Sequence, residues 1–366
     1  MRLNPPAPGR VLVVVTRQIG DVLLTTPLIR RAHELWPQAR IDVLGFDGTL
    51  GMLRGNPDVD RLIGAPARLG WRGTRELARS LWRRYDLALV AEVSDRAHLI
   101  AWAAARQRCG LLAPGHSSNW WKRLALSHAV MSAGDHGEVH IVQEKLRLLE
   151  PWGAVAGAQV VAPPAAPLPE DVAAQLRDRP VVMHVPSMWA YKQWAPEKFR
   201  AVAAELIARG HQVVLTGTAG ARDQECIAPL RDLAPAPHLL DVSGRLDLNQ
   251  LSALLQRAAL YIGPDTSVSH LAAAVGVPTL AVFGPTNPMR WAPWPGVAEA
   301  PIRFVRRAPA QTAGNTTVVQ SVLPCVPCGR AGCEDHHASR SDCLLQIGPA
   351  EVLDRALALL AQTPHP

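Results

Sequence analysis

The stretch Gly263 to Pro288, GPDTSVSHLAAAVGVPTLAVFGPTNP, constrains the fold more than any other part of the chain. The LYI before it is an apolar run of strand type. Thr266 to Val275 has the pattern of a short helix, Pro278 breaks it, and TLAVFG is a second apolar run. Strand, acidic turn, helix and strand make half of a doubly wound α/β sheet. In such sheets ligands bind beyond the carboxyl ends of the strands, which is where Asp265 stands. The first turn of the following helix presents free N–H groups and a partial positive charge, which suits phosphate. Thr266, Ser267 and Ser269 add hydroxyls, and His270 lies one turn in, on the side of Thr266. The plainer reading is that Asp265 only caps the helix. The tight GPTNP turn after the second strand favours a site.

The same alternation runs through the chain. Val11–Val15 is the first strand, Asp21 stands at the start of a helix to about Trp36, and Ile41–Gly45 is a second strand. A short strand near Leu62, a helix about Trp71–Arg84, a strand Leu87–Ala91, a helix about Arg96–Arg106 and a helix near Val139–Leu149 follow. Ala162–Leu168, rich in Pro and Ala, is a linker. The pattern restarts with the strand Val181–Val185, the helix Pro196–Ala208, the strand QVVLTG and the helix Leu248–Arg257, and a terminal helix spans Pro349–Leu360. At 366 residues the chain suits two domains. The expected fold class is α/β, with Rossmann-like doubly wound domains over 1–163 and 164–348 and a cleft between them. Residues 349–366 supply a helix that packs back and a tail.

Charge narrows the partners. Residues 1–163 carry 21 Lys and Arg against 14 Asp and Glu, whereas 164–366 balance at 17 and 17, so the net +7 lies wholly in the first half. A basic half suits an anionic partner, either nucleic acid, an anionic membrane surface or a phosphorylated substrate; a merely solvating Arg-rich surface is the alternative. No nucleic-acid motif accompanies it. No apolar run is long enough for a secretory leader or a membrane span, which points to the cytosol. Neither G-x-x-x-x-G-K-[ST] nor an early G-x-G-x-x-G is present, which weighs against ATP hydrolysis and simple dehydrogenase chemistry.

Five constellations can carry chemistry. In RQIGD, Arg17 to Asp21, the carboxylate at a strand–helix turn suits a general base, with an N-cap as the alternative. In HVPSMWAYKQWAPEKF, a loop brings Ser187 and Lys192 to the end of a strand, where a Lys can neutralise a diphosphate. In TGTAGARDQE, Asp223 or Glu225 could take sugar hydroxyls, and the two remain open. Arg72, Arg75, Arg79 and Arg83 recur at helical spacing opposite Leu77, Ala78, Leu81 and Trp82, a basic amphipathic helix compatible with anionic lipid or glycolipid. Lys122 and Arg123, after Trp120 and Trp121, add to that reading. Finally Cys325, Cys328, Cys333 and Cys343 supply four thiolates that can close a tetrahedral structural zinc site, but C-x2-C-x4-C-x9-C is not the spacing of a standard zinc ribbon or finger, and free thiols or a redox-labile pair are the alternative.

These motifs together resemble glycosyltransferase family 9, the ADP-heptose:lipopolysaccharide heptosyltransferases, from Val11 to Leu360. RQIGDVLLTTPLIRRAHELWPQARIDVL, YKQWAPEKF and GPDTSVSHLAAAVGVPTLAVFGPTNP are similar to the family's N-terminal, donor-loop and C-terminal signatures. The form with SMWAYKQW and the Cys-rich segment is most similar to the heptosyltransferase III branch. The resemblance implies a GT-B fold, with acceptor held mainly by the first domain and nucleotide-sugar by the second. It implies Asp21 as base, Lys192 as diphosphate ligand, and Ser187, Asp265, Thr266, Ser267 and His270 at the donor, with Glu225 beside them. Arg17, Arg72, Arg75, Lys122 and Arg123 are expected to face the anionic acceptor. The expected reaction is inverting heptose transfer from ADP-heptose to the lipopolysaccharide inner core. The resemblance implies that catalysis needs no metal cofactor, and nucleic acid is not an expected partner. The expected location is the cytoplasm, peripheral on the inner face of the inner membrane. The alternatives are heptosyltransferase I or II, a family 9 transferase with another donor sugar, a GT-B-like nucleotide-sugar epimerase, or a binding protein with a decayed site.

Overall fold

The computed structural model describes residues 6–68, 70–153, 159–296 and 303–362. The chain divides into two compact units, Met1–Pro163 and Pro164–Pro366. The tail residues 363–366 lie outside the described residues.

Unit one holds β1 (Arg10–Val15), β2 (Arg40–Phe46), β3 (Arg61–Ala65), β4 (Tyr85–Val90), β5 (Ala105–Leu112) and β6 (His128–Met131). Their order is β3-β2-β1-β4-β5-β6, every neighbour parallel. Val11 to Val15 are wholly buried, as a central strand covered on both faces requires. Because β2 and β4 lie on opposite sides of β1, the chain leaves β1 in one direction and returns in the other. A crevice therefore opens beyond the carboxyl ends of β1 and β4.

Unit two holds β7 (Val181–His184), β8 (Val213–Thr216), β9 (Leu239–Asp241), β10 (Leu260–Pro264), β11 (Thr279–Phe283), β12 (Ala310–Ala313) and β13 (Thr316–Gln320). The order is β12-β13-β11-β10-β7-β8-β9, parallel except for the β12–β13 edge pair. The reversal falls between β7 and β10. The helix Ser267–Val275 follows β10 and ends at Gly276, whose φ of +88° suits a residue without Cβ. The terminal helix Pro349–Gln362 buries Val352 and Ala356 in this unit's core.

Several elements differ from the sequence expectation. The helix expected to run to Trp36 is two, Ile19–Leu23 and Thr26–Leu35. Pro27 has no N–H for the Leu23 carbonyl, and the Thr26 hydroxyl takes that carbonyl at 2.8 Å instead. The helix Trp71–Leu81 stops before Arg83, which sits at φ +53°, so the expected Arg stripe ends at Arg79. The strands β5, β6, β9, β12 and β13 have no counterpart in the sequence reading.

Trp194 anchors unit two. It is fully buried, packs edge-on against Phe199 at 4.7 Å, and donates from Nε1 to the Ile347 carbonyl at 3.1 Å. Trp194→Ala removes a large core side chain and one of the two hydrogen bonds to that carbonyl, which keeps the Lys198 ammonium at 2.8 Å. The expected cost is about 3–5 kcal/mol. Denaturant unfolding that shows a loss under about 1 kcal/mol would remove Trp194 from the core argument.

Candidate active site

In unit two the loop after β7 and the turn after β11 both reach Asp265, the residue after β10. Lys192 Nζ lies 2.6 Å from Asp265 Oδ2, and the Thr286 hydroxyl donates to the same oxygen at 2.6 Å. Asp265 has only 5% of its surface exposed. Burial alone would raise its carboxyl pKa, but the Lys192 charge and hydrogen bond, the Thr286 hydroxyl and His270 outweigh that and hold it below the usual range. Its carboxylate thus turns to Lys192 and Thr286, and the residue at the N-cap position is Thr266. The capping reading of Asp265 fails.

The Lys192 loop is pinned from within. Gln193 Oε1 accepts from the Ser187 N–H at 2.7 Å, and its Nε2 donates to the Val185 and Trp194 carbonyls. Ser187 is buried. The Cys-rich segment braces the same loop: the Ser341 hydroxyl donates to the Tyr191 carbonyl at 2.7 Å, and the Ala190 N–H donates to the His337 carbonyl at 3.1 Å. The His337 ring stacks on Trp189 at 4.0 Å. Thr266 and Ser267 are half-buried at the start of the nine-residue helix, and His270 is buried within it. At the end of β7, His184 meets the Thr216 hydroxyl at 3.0 Å, and burial pushes its imidazole down to about 4, so it is neutral near pH 7.

The two acids of TGTAGARDQE separate. Asp223 Oδ2 accepts from the Thr218 N–H and hydroxyl at 2.8 and 2.7 Å and closes the turn after β8. Glu225 is exposed on the helix Ala221–Ile227.

In unit one Asp21 is the third residue of the helix Ile19–Leu23, whose N-cap is Gln18, so it is not the cap that the plainer reading makes it. Its carboxylate has Arg17 Nε at 3.9 Å. The crevice between β1 and β4 brings a second acid beside it. Glu92, two residues past β4, is buried, and its Oε1 accepts from the Thr16 N–H at 2.8 Å and from the Thr16 hydroxyl. Its Oε2 is buried with no hydrogen-bond partner. Burial raises the Glu92 carboxyl above the usual range; the Thr16 bonds and Arg17 oppose that, and Asp21 adds to it. Lys145 reaches the same place from the helix Ile141–Leu146, with its Nζ 2.8 Å from both the Asp21 carbonyl and the Thr25 hydroxyl.

Arg72, Arg75 and Arg123 are exposed, and Arg17 keeps 53% of its side chain exposed. Lys122 is a correction. It is 1% exposed, with Nζ 2.7 Å from the Val93 carbonyl and 2.6 Å from Asp95 Oδ1, so it ties the helix Asn119–Ala125 to the start of the helix Asp95–Ala104 instead of standing as a surface cation.

A family model described as Glycosyltransferase family 9 (heptosyltransferase) matches residues 74–316. The chain belongs to glycosyltransferase family 9. Lipopolysaccharide heptosyltransferase 3 of Escherichia coli (strain K12) is 30% identical over 295 residues, 76% of this chain and 83% of the relative. Among solved structures, the glycosyl transferase family 9 from Veillonella parvula DSM 2008 matches with TM-score 0.75 at 20% identity, over 97% of this chain and 98% of that one. The E. coli ADP-heptose lps heptosyltransferase II matches with TM-score 0.70 at 20% identity, over 96% and 99%. The two Rossmann-like units are therefore the GT-B architecture, and the protein is a glycosyltransferase.

As a family 9 enzyme it carries residues that no motif above singled out: Thr286, Gln193, Glu92 and Lys145. Thr286 lies within the quoted GPTNP turn, and that turn was the available signal. The four cysteines of the segment are free thiols. Among the described residues no three His, Cys, Asp or Glu side chains form a group that could hold a metal. Cys325 and Cys333 are exposed and Cys343 is buried; Cys333 Sγ accepts the Asp342 N–H at 3.4 Å. The zinc reading thus gains no support, and hydrogen bonds hold the segment to the donor loop.

Proposed function

We propose that this family 9 glycosyltransferase moves a heptose from ADP-heptose to the inner core of lipopolysaccharide, in one inverting displacement without a catalytic metal. The observation that carries the reading is the Lys192–Asp265–Thr286 cluster at the β7/β10 reversal, beside the start of the helix Ser267–Val275. A cation and a helix N-terminus converge there on the place where a diphosphate leaving group gains charge. Lys192 binds the diphosphate, and Ser187, Thr266, Ser267 and His270 line the donor. For the remaining acid, Asp223 stands half-buried at the turn after β8 whereas Glu225 is exposed on the helix that follows, which favours Asp223 as the donor-side carboxylate. Asp21 takes the proton of the acceptor hydroxyl as that oxygen attacks the anomeric carbon, and the bond to the nucleoside diphosphate breaks on the opposite face.

The acceptor is bound by residues 1–163, where the positive excess lies. Arg17, Arg72, Arg75 and Arg123 meet its anionic groups, and the enzyme works against the inner face of the membrane that carries the lipid. No helix among the described residues is long and apolar enough to cross a membrane. The similarity to heptosyltransferase 3 supports addition to a core that already carries two heptoses.

The test is a transfer assay with ADP-heptose and a graded set of truncated inner cores, read by mass spectrometry. One heptose-sized gain on the core with two heptoses is the expected product, with inverted anomeric configuration. Gain only on shorter cores moves the enzyme to an earlier step. A retained anomeric configuration, or donor consumed without acceptor gain, overturns the mechanism.

A further inference from the structure

Asp21 rides on a helix of five residues, Ile19–Leu23, with no side-chain cap. So short a helix has almost no stability of its own, and its position is set by what it is tied to. Its Val22 and Leu23 are buried, which fixes one face. Its carboxyl end is fixed by a polar node. The Thr25 hydroxyl donates to the Asp21 carbonyl at 2.7 Å, and the Lys145 ammonium donates to that carbonyl and to the Thr25 oxygen, both at 2.8 Å. Lys145 and Thr25 are 1% and 0% exposed. A wholly buried lysine is rare unless it is held, and here both its acceptors belong to the Asp21–Thr25 turn.

We propose that Lys145 is a positioning residue for Asp21: its buried ammonium grips the Asp21 carbonyl and the Thr25 hydroxyl, and so fixes the direction in which the Asp21 carboxylate points. The proposal rests on reading Asp21 as the base. It places the support on the far side of the sequence, 124 residues away, in the helix Ile141–Leu146.

The charge of the node makes it testable. Burial pushes the Lys145 ammonium down to about 8. Asp21, Glu92 and Glu144 favour the charged form, and Arg17 opposes it. Glu144, the neighbour on the same helix, is held by the Ser132 hydroxyl and the Ala133 N–H. On the adjacent helix Thr26–Leu35, Arg30 pairs with Asp58 and Arg31 with Glu34, and after Lys145 Arg147 pairs with Glu150. The ammonium is charged below about pH 8 and loses its proton above it, so the grip on the node weakens as pH rises through that value.

The experiment compares the full-length wild type with Lys145→Met, Thr25→Val and Asp21→Asn. Each is assayed for kcat, donor KM, thermal unfolding, ADP binding by calorimetry, and the pH profile of kcat. A misplacement of about 1 Å costs about 10²-fold in rate. Lys145→Met is therefore expected to lose about 10- to 100-fold in kcat, with donor KM and ADP affinity unchanged and the alkaline limb near pH 8 gone. Thr25→Val keeps the shape and loses both bonds of its hydroxyl but leaves the Lys145 ammonium on the Asp21 carbonyl, so it follows with a smaller fall in kcat and decides the matter if Lys145→Met does not fold. Unchanged kcat in the folded variants overturns the proposal, as does an alkaline limb that persists in Lys145→Met or a loss confined to donor KM. Full turnover by Asp21→Asn instead sinks the reading of Asp21 as base, a result independent of Lys145.

Discussion

Asp21→Asn is expected to lower kcat by about 10²–10⁴-fold while ADP affinity changes by no more than about twofold. The amide keeps the size of the carboxylate and the distance to Arg17, but it cannot take a proton. A loss of 10²–10⁴ is about 3–5 kcal/mol of transition-state stabilisation, which is the scale of one positioned general base. Donor affinity should survive because the residues proposed to hold the nucleotide-sugar, Ser187, Lys192 and Asp265 to His270, all belong to residues 164–366. The variant should also fold, since Asp21 is only partly buried and the ion pair that its carboxylate makes is the loose 3.9 Å approach of a half-exposed Arg17. Steady-state kinetics with a saturating acceptor, beside calorimetric ADP titration, separates the two quantities. A kcat within about threefold of wild type would take Asp21 out of the chemistry.

The unit around Gly263–Pro288 is legible because each step has its own local signal. The apolar strand, the hydroxyl-rich turn and the proline break become β10, the helix Ser267–Val275 and β11 within a residue or two. Lys192 is legible as well, since a loop at the end of an apolar strand must lie at the edge of the sheet. Glu92 is not, because nothing in AEVSD marks it. It matters only once the strand order places β4 beside β1 and the crevice between them at its feet. Lys145 and Asp21 meet through a fold that closes over more than a hundred residues, and no periodicity encodes that. Lys122 misleads for a different reason. Its neighbours Trp120 and Trp121 suggest a surface patch, yet on the short helix Asn119–Ala125 its stem turns inward to Val93 and Asp95. The strand β5 escapes the pattern because its first residues, ARQR, are polar and it follows the helix Asp95–Ala104 without a turn.

Lys192→Ala is expected to reduce kcat/KM for the donor by about 10²–10³-fold, the scale of removing one preorganised charge from a leaving group. Lys192→Arg should recover only part of this, because the larger planar guanidinium does not fit where Asp265 Oδ2 holds a compact ammonium at 2.6 Å. The partner matters as much as the cation. Asp265 Oδ2 holds the ammonium at 2.6 Å, with Thr286 on the same oxygen, and so fixes where the lysine's charge lies. Asp265→Asn should leave the charge but free its position, raising donor KM with a smaller effect on kcat. It should also destabilise the fold. Breaking a fully buried pair costs about 3–5 kcal/mol, and Lys192 keeps 23% of its side chain exposed, which brings the expected loss to about 2 kcal/mol. The pH dependence has a definite sign. Because the Asp265 carboxyl is held below its usual range, its contribution is present above the unfolded value near 4 and is lost as pH falls through the folded one. Wild type should therefore lose stability below about pH 4 more steeply than Asp265→Asn. Urea unfolding at pH 7 and at two acidic values reads this directly. Parallel losses in the two proteins would mean that the Lys192–Asp265 pair contributes nothing to the fold, while an unchanged ADP affinity in Lys192→Ala would take the lysine off the diphosphate.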